Sequence, residues 1–248
     1  MRYRVITLYR CCVRKKTIHH ISEKLKSSYS SIATEFDQTR KAPWQEFEHF
    51  LAYVKHGGKV LDLGCGNGRF YEFLKPKKVH YLGVDHNSHQ LDLAKKNYPE
   101  ARFQLEDMME LNLEKEAFDN VFSIASFHHI PGKWMREKVI SDIHRVLKTD
   151  GILILTVWNL FQFKYLPSLF MGIFKSLFFL GLRTAWNDVE IKWGNYPDPR
   201  YYHAFLPSEL LKLFPKKDWE IEEFYFTKKG KRVSFVRSYN FVLIVRKI

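Results

Sequence analysis

The stretch VLDLGCGNGRF, residues 60–70, sets three glycines between a short run of β-favouring residues and a helical segment. Gly64, Gly66 and Gly68 carry no side chains, so a ligand can approach the backbone N–H groups at the start of the helix. Such a turn needs a strand before it and a helix after it. The stretch therefore predicts an α/β fold.

Further β-rich runs recur along the chain with room for a helix between them. They lie at 80–85, 101–106, 120–125, 151–157, 219–226 and 239–247. This alternation predicts a parallel sheet with helices on both faces. The last two runs are joined by a turn around Gly230, which predicts a closing hairpin. We expect seven strands, mostly parallel with the last antiparallel, preceded by N-terminal helices at 21–36 and from residue 44.

The length of 248 residues suits one α/β domain with additions. We predict a basic flexible arm at 1–20, a single domain at 21–248, and a lid insertion at about 159–206, before the sixth strand. The 40 Lys and Arg against 27 Asp and Glu favour an anionic partner such as RNA or a lipid surface. Three cysteines in no metal-ligand spacing predict no metal site and a reducing, cytoplasmic location.

The most apolar segment is YLPSLFMGIFKSLFFLGL, residues 165–182. Pro167 and Lys175 interrupt it, and it is shorter than a clean membrane span. The segment is therefore expected to form a lid helix or an interfacial helix. Contact with a membrane surface is the less favoured of its uses.

Acidic residues follow the predicted strands where a nucleotide ligand would need them. Asp85 ends the second strand, seventeen residues after Gly68, and can take both hydroxyls of a ribose. This spacing alone also fits a dinucleotide site. Asp62 lies inside the first strand, and Asp107 follows the third strand, where it can face an adenine amine. These two acids favour a different nucleoside cofactor over a dinucleotide.

These residues together resemble the class I S-adenosylmethionine-dependent methyltransferases over about residues 40–160. The resemblance implies a Rossmann-like fold with S-adenosyl-L-methionine as cofactor. It implies that Asp62 and the glycine turn meet the methionine part, that Asp85 holds the ribose, and that Asp107 with the Met108 backbone holds the adenine. The predicted cofactor set is completed by His86 and Ser123.

Two adjacent histidines, His128 and His129, follow the fourth strand at the edge where open α/β sheets bind ligands. Histidines there can orient a substrate as well as accept a proton. One member of such a pair is usually a packed or capping residue.

The flanking segments resemble one subfamily, the tRNA wobble-uridine carboxymethyl methyltransferases, including the methyltransferase half of the AlkB-type tRNA hydroxylase. The resemblance rests on SYSSIATEFDQTRKAPW, SIASFHHI, DVEIKW and RYYHAF. It implies methyl transfer to the carboxylate of 5-carboxymethyluridine in tRNA. A carboxyl group with a pKa of about 4 is already ionised at neutral pH, so this acceptor needs alignment more than a general base.

The resemblance also implies substrate-side residues. Arg40 is expected to hold the carboxylate, and with His128 and His129 it forms the predicted catalytic set. Trp158 and Trp193 are expected to wall the pocket, with core packing as an equal alternative for Trp158. Arg200 is expected to bind a phosphate or carboxylate. An unpaired anticodon base would meet Tyr201, Tyr202 and His203, unless the tyrosines pack the lid onto the sheet.

Two other functions remain open from the sequence. The apolar insertion stands where the subfamily carries a polar one, which allows a methyltransferase for a small or lipid-like acceptor at a membrane surface. A cofactor-binding scaffold without catalysis is the other, and the intact Arg40, His128 and glycine turn argue against it. The resemblance implies tRNA and a small zinc-containing activator protein as partners.

Overall fold

The structure is a computed structural model that describes residues 17–30, 44, 46–178, 185–192 and 199–248. Arg40, Trp193 and most of the predicted basic arm lie outside these ranges. Residues 17–20 of that arm belong to a helix instead.

The described residues form helices and strands in an alternating order. The helices are α1 (17–30), α2 (Glu46–Phe50), α3 (Tyr71–Leu74), α4 (Ser88–Asn97), α5 (Lys133–Val146), α6 (Leu166–Phe178) and α7 (Pro207–Leu211). The strands are β1 (Lys59–Leu63), β2 (His80–Asp85), β3 (Arg102–Leu105), β4 (Phe118–Ile124), β5 (Leu147–Trp158), β6 (Asp188–Ile191), β7 (Arg200–His203), β8 (Trp219–Lys228), β9 (Lys231–Arg232) and β10 (Asn240–Lys247). Short 3₁₀ turns include Leu51–Tyr53, Met108–Glu110 and Phe127–His129.

The main sheet has the order β3-β2-β1-β4-β5-β10-β8-β9. Strands β1 to β5 are parallel, and β10 runs antiparallel to both β5 and β8. The predicted mostly parallel sheet with a closing hairpin is confirmed. The strand count is eight rather than seven, because the turn around Gly230 continues into the two-residue strand β9, which pairs with Thr227 and Lys228.

The insertion contributes a small sheet of its own. Strands β6 and β7 pair antiparallel, with Asp188 opposite His203 and Ile191 opposite Arg200. A separate apolar cluster joins this sheet to α6 and to the end of β5. Its buried members are Leu160, Leu169, Val189, Tyr202 and Ala204.

Hydrophobic side chains cover both faces of the main sheet. Helix α5 places Val139, Ile140 and Ile143 at the three- and four-residue spacing of a helical face, and all three are buried. On the other face Phe47 and Phe122 pack in a second cluster. The predicted helix from residue 44 is shorter than expected, since α2 gives way to the turn Leu51–Tyr53.

Since β1, β2, β4 and β5 are parallel, their carboxyl ends meet at one edge of the sheet, where the candidate site lies. In the described part of the chain, no helix is both long and apolar enough to cross a membrane.

Candidate active site

A cavity opens at the carboxyl edge of the sheet, beneath α1 and beside the ends of β1, β2, β4 and β5. Nine of the residues predicted from the sequence line it. They are Asp62, Gly64, Gly66, Asp85, His86, Asp107, Met108, His129 and Trp158.

The three glycines of the turn have positive φ angles but different surroundings. A Cβ atom on Gly64 would lie 2.6 Å from the Cβ of Ser126, and one on Gly68 would lie 2.8 Å from the ring of Phe103. At Gly66 the nearest atom would be Oε1 of Gln90 at 3.8 Å. Gly64 and Gly68 therefore allow close packing within the protein, whereas Gly66 leaves room for a ligand.

Asp85 ties the glycine turn to the start of α4. Its Oδ2 accepts a hydrogen bond from the Gly66 N–H at 3.0 Å, and its Oδ1 accepts one from the Asn87 N–H at 2.9 Å. Burial raises the pKa of this carboxyl group. Each oxygen keeps a further lone pair, so the carboxylate can still accept from two neighbouring hydroxyl groups.

Asp62 is 2% exposed and lies at the floor of the cavity. The Tyr81 hydroxyl donates to its Oδ2 at 2.8 Å. Burial raises the pKa of Asp62 to about 7, although the Tyr81 hydrogen bond acts in the opposite direction. A cation bound next to Asp62 would favour its ionised form.

The third acid fixes the loop after β3. Oδ1 of Asp107 accepts from the Met109 N–H at 2.8 Å and so caps the turn Met108–Glu110. This hydrogen bond holds Met108 against the cavity.

Several polar atoms on the wall are arranged for a ligand. Both side-chain atoms of the Gln90 amide and Nε2 of His86 are buried without a hydrogen-bond partner among the described residues, and both residues line the cavity. Buried polar groups normally have partners. With the open space at Gly66 and three carboxyl groups nearby, these residues fit a polar nucleoside cofactor such as S-adenosylmethionine.

His129 is held on both sides of its ring. Its Nδ1 faces the Tyr201 carbonyl oxygen at 2.8 Å, which can only accept, and its Nε2 lies 2.8 Å from the Tyr29 hydroxyl. Burial lowers the pKa of His129 to about 3. The neutral ring therefore carries its hydrogen on Nδ1 and accepts from Tyr29 at Nε2, which leaves it no free lone pair for an incoming proton.

Two predicted contact residues lie behind the cavity wall. His128 is fully buried, its Nδ1 accepts from the Trp158 N–H at 3.3 Å, and burial lowers its pKa well below the ordinary value. Ser123 lies 2.9 Å, oxygen to oxygen, from Ser126, and Ser126 lines the cavity in its place. The predicted direct contacts of His128 and Ser123 are corrected to packing and support, because other side chains separate both from the cavity.

The segment 200–203 does not line the cavity. The ring of Tyr202 is 1% exposed and stacks on Trp158, with ring centres 5.3 Å apart. His203 is fully buried between Asp188 and Glu209, each with a carboxylate oxygen 2.7 Å from a ring nitrogen. The prediction that these rings stack on a base is wrong for this arrangement, since protein atoms cover them.

The other two residues of this segment are also enclosed. The Tyr201 hydroxyl donates to Oδ1 of Asp188 at 2.7 Å. Arg200 is 2% exposed, and its guanidinium carbon lies 4.8 Å from the centre of the Tyr29 ring. Both residues therefore support the cavity wall from behind. The alternative in which the tyrosines pack the insertion onto the sheet is the one observed.

Part of the cavity wall consists of residues that were not predicted from the sequence. The missed lining residues include Tyr29, Trp44, Arg69, Gln90 and Ser126. Tyr29 reaches the cavity from α1, and Trp44 lies beneath the Arg69 guanidinium, 4.9 Å from carbon to ring centre. Four of them lie inside stretches that the sequence already singled out: Arg69 in the glycine turn, Tyr29 and Trp44 at the two ends of SYSSIATEFDQTRKAPW, and Ser126 in SIASFHHI. Their contact with the cavity still depends on packing between distant parts of the chain.

Comparison with known proteins agrees with this site. A family model described as a methyltransferase domain matches residues 61–155. A putative methyltransferase of Encephalitozoon cuniculi is 35% identical over 75% of this chain and 81% of its own length. The chain belongs to the class I S-adenosylmethionine-dependent methyltransferases, and the predicted cofactor is confirmed.

A more specific relative is the Arabidopsis thaliana protein named tRNA (carboxymethyluridine(34)-5-O)-methyltransferase. It is 32% identical over 59% of this chain and 33% of its own length, so the chain spans a third of that relative.

Solved structures share the fold. A methyltransferase from Methanosarcina mazei has a TM-score of 0.66 at 22% identity, covering 81% of this chain and 97% of that one. A putative methyltransferase of Haloferax volcanii, solved in complex with the Trm112 methyltransferase activator, has a TM-score of 0.61 at 15% identity, covering 90% of this chain and 96% of that one.

Proposed function

We propose that the protein methylates the carboxylate of 5-carboxymethyluridine at the wobble position of tRNA, giving the methyl ester. The name of the Arabidopsis relative supports this acceptor. The observation that carries the proposal in the structure is one cavity whose wall combines three carboxyl groups with several aromatic rings.

The acidic side chains of the wall suit the cofactor. The carboxyl groups of Asp62, Asp85 and Asp107 lie together with the glycine turn. When bound, S-adenosylmethionine supplies an electrophilic methyl group, and the bond from a carboxylate oxygen to that carbon forms as the carbon–sulfur bond breaks, with no proton released.

The aromatic side chains of the wall suit a flat acceptor that needs no base. They include Tyr29, Trp44 and Trp158, and His129 is neutral with both ring nitrogens engaged. An ionised carboxylate requires only alignment, so an acceptor of this kind needs no proton transfer to His129. The aromatic rings exclude water and can stack on a base.

Arg40 remains the residue proposed to hold the acceptor carboxylate. A guanidinium group binds a carboxylate through paired hydrogen bonds and leaves further lone pairs on the oxygens for attack. The proposal for Arg40 comes from the sequence alone, as does that for Trp193.

A small zinc-containing activator protein is the proposed partner besides tRNA. The Haloferax volcanii fold relative, crystallised with an activator, supports a partner of this type. The cysteine usage supports a cytoplasmic location.

The apolar face of α6 keeps the lipid-like acceptor as a second candidate. Phe163, just before α6, is 91% exposed, and Phe170 and Met171 within it are 67% and 53% exposed. Single exposed apolar residues are common, but neighbouring ones on one face can indicate a contact surface.

The test is transfer of labelled methyl groups to three acceptors: tRNA bearing 5-carboxymethyluridine, unmodified tRNA, and a lipid extract. We expect label on the modified tRNA alone, in a form released by mild base as expected of an ester. The variant Arg40→Ala should lose transfer while still binding S-adenosylhomocysteine. Label in the lipid extract, or none on tRNA with the activator present, would overturn the proposal.

A further inference from the structure

The C-terminal part of the chain carries a run of positive charge that contains no acidic residue. Between Phe224 and Ile248 the sequence contains seven Lys and Arg and no Asp or Glu. Five of the seven lie in the loop that joins β8 to β10 through β9, here called the basic hairpin (residues 228–237). They are Lys228, Lys229, Lys231, Arg232 and Arg237.

The basic hairpin lies at the same edge of the sheet as the cavity. Thr227, at the end of β8, pairs with Asn240, and Asn240 pairs with Trp158 of the cavity wall. Because β5 ends at the site, the hairpin must leave the sheet beside the cavity. The positive charge of the hairpin therefore lies at the same edge of the sheet as the site.

Asn159, the residue after Trp158, ties the end of the hairpin to this wall. Its Nδ2 donates to the Phe235 carbonyl oxygen at 2.8 Å and to the Ser238 hydroxyl at 2.9 Å, and its N–H donates to the Tyr239 carbonyl oxygen at 2.8 Å. Asn159 is fully buried. Three hydrogen bonds from one buried residue hold the hairpin in a fixed position relative to the cavity.

The charges on the hairpin are available. Lys229, Lys231 and Arg237 are exposed and have no carboxylate within 4.0 Å among the residues that the structure describes. Arg232 is engaged with Glu223. A group of unpaired cations at the rim of a site attracts a polyanion.

An exposed aromatic ring accompanies these charges. Tyr239 is 40% exposed, and the Lys228 ammonium lies 4.8 Å from the centre of its ring. Cations interleaved with an aromatic ring are typical of surfaces that bind nucleic acid, where the ring stacks on a base and the cations meet phosphates.

We propose that the basic hairpin is the docking surface for the sugar–phosphate backbone of the acceptor RNA and presents one nucleotide of it to the cavity. This inference rests on the proposed function and adds the surface that selects a polynucleotide over a free nucleoside. Lys229, Lys231 and Arg237 contact phosphates. The hydrogen bonds of Asn159 hold the hairpin, and so the bound backbone, at a fixed distance from Trp158.

The test uses a charge-reversed variant, Lys229→Glu, Lys231→Glu and Arg237→Glu, in the full chain. Its matched control carries Lys212→Glu, Lys216→Glu and Lys217→Glu, the same change in net charge. These three exposed lysines precede Trp219, which pairs with Lys247 at the opposite edge of the sheet. Neither set belongs to the cavity wall.

The hairpin variant should bind tRNA at least about tenfold more weakly at roughly 0.1 M salt, and the salt dependence of its affinity should fall by about one per residue changed. The KM for tRNA should rise with little change in kcat, and S-adenosylhomocysteine binding should be unchanged. The control should stay close to the wild type. A neutral variant, with Gln at the three hairpin positions, should show the same effects more weakly, and circular dichroism checks that each variant folds.

The outcomes separate this inference from the proposed function. If the wild type binds and methylates tRNA and the two triple variants are indistinguishable, the hairpin inference is overturned and the proposed function stands. If the wild type neither binds nor methylates tRNA, both are overturned. If the charge-reversed hairpin variant loses binding to anionic phosphatidylserine vesicles but binds tRNA like the wild type, the hairpin is a membrane-binding surface instead.

Discussion

Asp62, whose carboxyl group is buried beside the glycine turn, is the most unusual residue of the site. Asp62 is almost fully enclosed, and its pKa of about 7 lies well above the ordinary value near 4. Ionising this buried carboxyl group is therefore costly, since Asp62 forms no ion pair with any residue that the structure describes. A cationic ligand group would recover that cost, which explains why an acid is useful at this position.

Asp62 predicts a pH dependence of stability in the ligand-free protein. The folded pKa lies above the unfolded one, so the folded state binds more protons between about pH 4 and pH 7, and stability falls as pH rises through that range. Asp62→Asn should raise the melting temperature by several degrees at about pH 8, and this gain should shrink as the pH is lowered and become small at about pH 4. Thermal unfolding followed by circular dichroism measures both. A variant less stable than the wild type at the higher pH would contradict the assignment.

The glycine turn provides a matched pair of substitutions. At Gly66 an added methyl group meets open space in the cavity, whereas at Gly68 it meets the Phe103 ring at 2.8 Å. Gly66→Ala should therefore abolish S-adenosylhomocysteine binding and lower the free energy of unfolding by only about 1 kcal/mol, through backbone strain. Gly68→Ala should lower the free energy of unfolding by roughly 2 kcal/mol or more, because the added methyl group also meets the Phe103 ring. Calorimetric titration and urea unfolding measure the two effects. Equal effects from the two variants would show that the turn does not separate ligand contact from packing.

Residues within local motifs could be predicted, and residues placed by distant contacts could not. The strand-to-helix turn and the acids after successive strands lie within a few residues of the pattern that defines them, and Asp62, Gly66, Asp85 and Asp107 all reach the cavity. Tyr29 meets His129 across a sequence separation of 100 residues. Such contacts leave no local pattern in a single sequence.

The insertion is held to the core by a buried polar cluster between elements. His203 on β7 lies between Asp188 on β6 and Glu209 on α7. The guanidinium group of Arg136, on α5, is 3.7 Å from the same Glu209 carboxylate. The cluster thus fixes β7, whose Tyr202 covers one face of Trp158.

His203→Ala should be strongly destabilising, since it leaves Asp188 buried with one hydrogen bond fewer and removes the ring between the two acids. We expect a loss of roughly 3 kcal/mol in the free energy of unfolding, measured with urea. Tyr201→Phe, which removes one hydrogen bond to the same Asp188, should cost about 1 kcal/mol. If the two variants lose the same stability, His203 does not connect the acids in the way described.

At the scale of elements, the strong β-rich runs were predicted close to their true positions, whereas weak elements were not. Strands β6 and β7 each have four residues and exist through pairing with each other. The two-residue strand β9 depends on the register of β8. Pairing of this kind arises from tertiary structure rather than from local β propensity.

The whole molecule combines a common methyltransferase sheet with two local specialisations. The apolar face of α6 and the basic hairpin both belong to segments that leave the sheet at its carboxyl edge, where the cavity opens. The net charge of +13 predicted an anionic partner, and the structure places a cationic loop at the edge of the sheet where the site lies.

Nucleoside analysis of tRNA after reaction shows directly whether the protein forms the methyl ester. tRNA bearing 5-carboxymethyluridine is incubated with the protein, S-adenosylmethionine and the activator, then digested and analysed by mass spectrometry before and after mild base. We expect one added methyl group on the wobble nucleoside, lost on base treatment. A methyl group on any other nucleoside, or one that survives base treatment, would rule out the proposed reaction.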